Sequence, residues 1–214
     1  MSGIGQTIVL GGFGLILDRN TISGAADVEI VERVLGGDVN AFSVLVHKYQ
    51  DRIYSAVVNY VSNPDDAMDI TQDAFLKAYD KLAKFNSKSA FYTWIYRIAI
   101  NTAIDFIRKR KIRTADSLDD ERFTETGFEP VSKDDSADPQ KALASAENMR
   151  LLRTAIASLS DKLRIVLVLH DIEDLGQEQI AEILRIPVGT VKSRISRARM
   201  DLRRILRQQG GERP

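Results

Sequence analysis

Large apolar residues recur at steps of three and four along almost the whole chain, with charged residues in the gaps. That period gathers them on one stripe of a helix, whereas a half-buried strand needs strict alternation, and no convincing alternating stretch occurs. The chain therefore reads as all-α. A first helix, "DVEIVERVLGGD", begins at Asp27 and stops at Gly36-Gly37. The second follows a cap at Asn40 and turns Phe42, Leu45, Tyr49, Ile53, Val57 and Tyr60 inward. "SNPDDA" then ends one helix and starts another. Asn63 is the cap, Pro64 takes the first helical position, and Asp65 and Asp66 lie where the helix dipole favours acids. The third helix reaches about Leu82 along a seam of Ile70, Ala74, Phe75, Ala78 and Leu82. After the loop "KFNSKS", Ser89 caps a fourth helix running to about Lys111 through Phe91, Trp94, Ile95, Ile98, Ala99 and Ile107.

The period fails between Thr114 and Gln140. That stretch has nine acids against two bases, two prolines and few large apolar residues, so its net charge is −7. This is the composition of a flexible linker, and it divides the chain into two small helical domains. Beyond it the helical period returns over about Lys141–Ser158. It continues from a Ser160-Asp161 cap through Leu163, Val166, Leu167 and His170, then over Gln177–Leu184, and finally from Val188 to about Arg207. The organisation expected is an extension over 1–26, a domain over 27–113, a linker over 114–140, a domain over 141–208 and a tail over 209–214.

Charge sharpens this picture. Thirty basic and thirty acidic residues cancel over 214 positions, but they are segregated. Arg185–Arg207 holds eight bases and one acid, a net of +7 beside the acidic linker. An acidic linker also offers a way to cover basic surfaces in the free chain. On the last helix Val188, Val191, Ile195, Ala198, Leu202 and Ile205 form an inward seam, and most of the bases fall off it. A short helix, a tight turn and a basic helix make a helix-turn-helix, held together by Ile180, Ala181 and Leu184. Its second helix would enter a major groove, with Lys192, Arg194, Arg197 and Arg199 toward phosphates or guanines. Ser193 and Ser196 are short enough not to hold it away. A second basic run, Arg108, Lys109, Arg110, Lys111 and Arg113, follows the aromatic cluster Phe85, Phe91, Tyr92, Trp94 and Tyr96, with Lys88 between. Bases interleaved with aromatics suit a single strand, whose exposed bases stack or enter pockets. Phe91 and Trp94 are also natural core residues, whereas Phe85 and Asn86 lie in the loop.

Several classes are excluded or weakened. The absence of cysteine removes disulfides, thiolate zinc sites and a cysteine nucleophile. The two histidines, His47 and His170, are far apart in sequence. No metal or cofactor is expected. "GIGQTIVLGGFGLIL" at the N-terminus is apolar but glycine-rich, lacks a preceding base and is shorter than a membrane span, so no stable membrane insertion is expected.

Three segments together resemble the extracytoplasmic-function group of bacterial sigma factors, within the sigma-70 family, most closely its envelope-stress branch. They are "DAMDITQDAFLKAYDKLAKF", "SAFYTWIYRIAINTAIDFIRKRK" and "IPVGTVKSRISRARMDLRR". The resemblance covers about Asp27 to Arg207. It implies a non-catalytic specificity subunit of RNA polymerase, acting in the cytoplasm or tethered at the inner membrane through an anti-sigma factor. Partners would be promoter DNA, the clamp coiled coil of the largest polymerase subunit, the flap of the second-largest subunit and an anti-sigma factor, with no small-molecule substrate. It further implies that Asp69, Gln72, Phe75, Lys77 and Ala78 dock on the clamp. Phe85 and Asn86 would capture a base flipped from the minus-ten element, with Asn101 completing the pocket. Lys192, Ser193, Arg194, Arg197 and Arg199 would read the minus-thirty-five element. The chain departs from the family pattern at "FNSKS", at Gly176 where a serine cap is usual, and at Arg185 where the turn often has glycine. If Arg185 is left-handed it costs roughly 1–2 kcal/mol.

Two other readings use some of the same residues. A dimeric operator-binding regulator explains the helix-turn-helix but not the first two segments. A metal-dependent enzyme could be built on Asp65, Asp66, Asp69 and Asp73, yet first-turn acids on a solvated or partner-binding face account for them.

Overall fold

A computed structural model describes residues 19–86, 89–116 and 139–209. Among these residues there are helices and turns and no strands. The N-terminal half comprises α1 (Arg19–Leu35), α2 (Phe42–Val61), α3 (Pro64–Asp80) and α4 (Phe91–Asp116). The C-terminal half comprises α5 (Pro139–Ala157), α6 (Asp161–Leu167), α7 (Gln177–Leu184) and α8 (Val188–Gln209). A π turn, Val168–Ile172, extends α6.

The seams expected on α2 and α3 are buried throughout, and both helices pack on α4. Tyr60, Phe91, Leu45, Ile53 and Ile95 are fully enclosed there. Asn63 caps α3 as expected, its Oδ1 accepting from the Asp66 amide at 2.9 Å, with Pro64 at the first position. Asp27 is buried, and its carboxylate accepts from both Lys48 Nζ and Tyr49 Oη, which fastens α1 to α2. A buried carboxylate is tolerable only when paired in this way.

Several sequence expectations need correction. The first helix begins at Arg19, not Asp27, so the extension is shorter than 1–26. Asn40 does not cap α2. It sits inside a 3-10 turn, Val39–Ala41, and its carbonyl accepts from Ser43 Oγ at 2.7 Å. The carbonyl opening the α4 ladder is that of Ala90, bonded by the Trp94 amide, so Ala90 takes the cap position and α4 starts at Phe91, two residues beyond Ser89. It also runs past Lys111 to Asp116, and α5 starts at Pro139, which shortens the segment assigned to the linker. The rest of that segment, residues 117–138, lies outside the described residues, as do 1–18 of the extension and most of the tail.

The two halves do not stand apart. Leu175, Ile180, Ile183, Val191 and Ile195 belong to the same apolar core as α2, α3 and α4, and α7 lies on α4. A second, smaller core joins α5, α6 and α8 through Ile156, Leu159, Leu167, Val168 and Ala198.

Candidate nucleic-acid interface

The helix-turn-helix forms as its sequence suggests. Gln179 Oε1 accepts from the Gly176 amide at 2.9 Å, which helps to close the start of α7 where no cap side chain exists. Arg185 ends α7 in the left-handed region at φ 54°, and the Ile186 amide returns to the Ala181 carbonyl at 3.1 Å. Pro187 then opens α8, its carbonyl accepting from Val191. Val191, Ile195 and Ala198 are buried, and Ile183, which the sequence reading did not single out, is buried with Ile180.

With that seam turned in, the other face is set by helical geometry. Lys192, Ser193, Ser196 and Arg197 are exposed and Arg194 is half-buried. Ser193 Oγ donates to the Thr190 carbonyl at 3.0 Å. Arg199 differs from its neighbours. Its Nε and Nη2 donate to the two oxygens of Asp171 at 3.0 and 2.5 Å. Those hydrogen bonds hold the Asp171 carboxyl below its usual range, with His170 Nδ1 2.9 Å away on the same carboxylate. Two nitrogens of its guanidinium are thus engaged by Asp171, and Arg199 ties α8 to the π turn.

On α4 the aromatic cluster is divided. Phe91 and Tyr96 are fully buried, so neither offers a face to a base. Phe85 is half-buried, its ring 5.5 Å from Phe91 and 5.4 Å from Trp94. Asn86 and Asn101 are exposed. Tyr92 is half-buried under the Arg52 guanidinium, 5.8 Å from its ring centre, and burial pushes its phenol up to about 12. Arg108, Lys109 and Arg110 are exposed at the far end, with Arg110 also 3.0 Å from Asp66. Lys88 lies outside the described residues.

The third candidate surface is α3. Asp69 and Gln72 are exposed there. Ala78 is fully buried and presents nothing to a partner, and Phe75 is nearly so, reaching the surface only as a groove wall. Lys77 turns sideways to Thr102 Oγ1 of α4 at 3.3 Å. Between α2 and α3 runs an apolar groove of about 760 Å³, walled by Phe42, Val46, Tyr54, Met68, Leu76 and Tyr79 with Gln72 on its rim. Thr71 Oγ1 is buried beside it with no partner. The sequence held a signal for this groove. Met68, Gln72, Leu76 and Tyr79 recur at steps of four, four and three, a second stripe beside the buried seam. Among the described residues no cluster of His, Asp or Glu could hold a metal ion, and no helix is long and apolar enough to cross a membrane.

Comparison with known proteins gives this arrangement its class. The family model for sigma-70 region 2 matches residues 45–113, and that for sigma-70 region 4 matches residues 149–202. The chain belongs to the sigma-70 family. Its similarity to individual members falls in the extracytoplasmic-function group. It is 42% identical to the RNA polymerase sigma-H factor of Pseudomonas aeruginosa over 176 residues, 81% of this chain and 90% of that protein. It is 40% identical to the ECF RNA polymerase sigma-E factor of Escherichia coli K12 over 177 residues, with the same coverage. Among solved structures it resembles the sigma factor RpoE of Bartonella quintana in complex with the anti-sigma factor NepR. The TM-score is 0.63 at 28% identity, covering 77% of this chain and 96% of that one. CnrH in complex with the cytosolic domain of CnrY shares the fold, with a TM-score of 0.61 at 24% identity over 85% of this chain and 97% of that one.

Proposed function

We propose that this sigma factor binds core RNA polymerase and directs promoter-specific initiation without chemistry of its own. The helix α8 reads the minus-thirty-five duplex through Lys192, Ser193, Arg194, Ser196 and Arg197. The α4 segment, with Phe85, Asn86, Tyr92, Asn101 and the bases at its end, holds the melted minus-ten strand. The groove between α2 and α3 takes the clamp coiled coil of the largest subunit, and the C-terminal domain meets the flap of the second-largest. These roles divide between residues 27–113 and 141–208. An anti-sigma factor holds the protein inactive, in the cytoplasm or at the inner membrane.

The observation that carries this reading is the exposed basic face of α8 behind a formed helix-turn-helix turn, in a chain that also presents an unfilled apolar groove on α3. A duplex-binding regulator accounts for the first but has no use for the second. The test is run-off transcription with purified core polymerase, with and without the protein, on a library of promoter fragments. Specific transcripts are expected only when the protein is present. No transcripts, together with no binding to core polymerase, overturn the proposal and leave the operator-binding regulator.

A further inference from the structure

One buried carboxylate belongs to none of the three surfaces described above. Asp27, Val31 and Val34 lie at steps of four and three on one stripe of α1, and all three are buried. The valines do what a packed stripe requires, and an apolar residue at 27 would continue it. A buried ion pair seldom stabilises a fold more than well-packed hydrocarbon of similar volume does. What a carboxylate adds is direction, because its hydrogen bonds hold their donors at preferred distances and angles.

The donor held here carries a ring. Asp27 accepts from Tyr49 Oη through one oxygen and from Lys48 Nζ through the other. The same Lys48 ammonium lies over the Tyr49 ring, 5.1 Å from its centre. That ring packs on Phe91, with 5.8 Å between centres. Phe91 is fully enclosed and lies 5.5 Å from both Phe85 and Trp94, which are 5.4 Å from each other. Phe85 is where this series of rings reaches the loop, half-buried beside exposed Asn86. Its backbone is tied to α1 as well. The helix packs on the 3-10 turn Leu82–Lys84, and the Phe85 amide closes that turn on the Leu82 carbonyl at 2.9 Å. Interiors are packed too densely for one ring of such a series to tilt without displacing the next.

We propose that Asp27 is a positioning residue for capture of the minus-ten strand: through Tyr49 and Phe91 it sets the angle at which the Phe85 ring receives an unstacked base. This rests on the sigma-factor reading above, and adds to the loop and α4 residues an enclosed residue of α1 far upstream in the chain.

The probe is an end-labelled single strand carrying the non-template minus-ten element of a promoter that the wild-type holoenzyme transcribes. Its binding to holoenzyme is read by fluorescence anisotropy, beside that of a duplex carrying only the minus-thirty-five element. Tyr49→Phe keeps the ring and removes the hydroxyl, and Asp27→Asn removes the charge. Each should weaken strand binding about 5- to 10-fold, the lower end of what one stacked base contributes, and leave duplex binding unchanged. Phe85→Ala should lose more. Adding Asp27→Asn to it should cost nothing further, because the effect passes through that ring. A purely structural role gives parallel losses for strand and duplex, or losses that add in the double variant, and either result overturns the proposal. Tyr49→Phe keeps the test sound if Asp27→Asn fails to fold. Absence of transcripts from the wild type with core polymerase overturns the sigma-factor reading, and the positioning role with it. Transcripts from the wild type, together with strand binding by Tyr49→Phe equal to wild type, overturn the positioning role alone.

Discussion

Leu76 offers the cleanest separation of a docking role from a structural one. It stands 63% exposed at the mouth of the α2–α3 groove, beside Met68 at 62%. Fully burying a leucine side chain contributes about 1.5–3 kcal/mol relative to leaving it in water. About two-thirds of that surface is still wet in the free chain, so a partner covering it gains about 1–2 kcal/mol. Leu76→Ala is therefore expected to weaken core-polymerase binding about 5- to 30-fold. Leu76→Asp should cost more, because a carboxylate would be desolvated there without a partner. The free protein should barely respond, since an exposed helix position away from caps and core changes stability by no more than about 0.5 kcal/mol. The assay is competition of each variant with labelled wild type for core polymerase, with thermal melts alongside. An unchanged affinity for Leu76→Asp at an unchanged melting temperature would refute the placement of the clamp in this groove. The buried seam gives the contrasting control: Ala78→Leu should destabilise the fold by about 1–3 kcal/mol through overpacking, and so lower the melting temperature, because Ala78 is fully enclosed.

Other consequences are equally direct. Arg185→Gly should stabilise the C-terminal domain by about 1 kcal/mol in denaturant melts, since glycine relieves the left-handed strain at φ 54° and loses part of that gain to unfolded-chain entropy. Arg197→Ala should weaken minus-thirty-five duplex binding by roughly 1–3 kcal/mol if it meets a base. Arg199→Ala should instead act through the lost Asp171 pair, lowering the melting temperature and leaving base preference unchanged in a binding-site selection. Tyr60 and Tyr92 are both pushed up to about 12, first by burial, from an unfolded value of 10.0. A raised folded pKa means that the fold keeps protons the unfolded chain loses. Their contribution is thus complete below pH 10, and stability falls as pH rises from there to about 12. Melts across that window should show the decline, and Tyr60→Phe should flatten it.

Much of the local structure was legible because it depends on neighbours in sequence. The steps of three and four set the inward faces of α2, α3 and α8, and Asn63-Pro64 set the start of α3. Signals that fail locally failed for identifiable reasons. Asn40 looked like a cap, but a 3-10 turn takes its place and its carbonyl goes to Ser43. Tyr96 looked available to a base, because aromatic residues among bases read alike whether they face solvent or core. Only packing against α2 and Glu173 buries it. Ala78 matched a docking motif by position, yet it lies on the same stripe as Ile70 and Ala74, and a helix cannot turn one residue both ways.

The sequence alone determined the all-α class, the helix-turn-helix, the segregation of charge and the resemblance to sigma factors, since each rests on spacing or composition within one segment. The tertiary structure decided what depends on residues far apart in the chain. It tied Arg199 to Asp171, opened a groove between α2 and α3, and set Glu173 against Ser55 and Tyr96. Those outcomes follow from which faces meet, and helical period fixes a face without naming its partner.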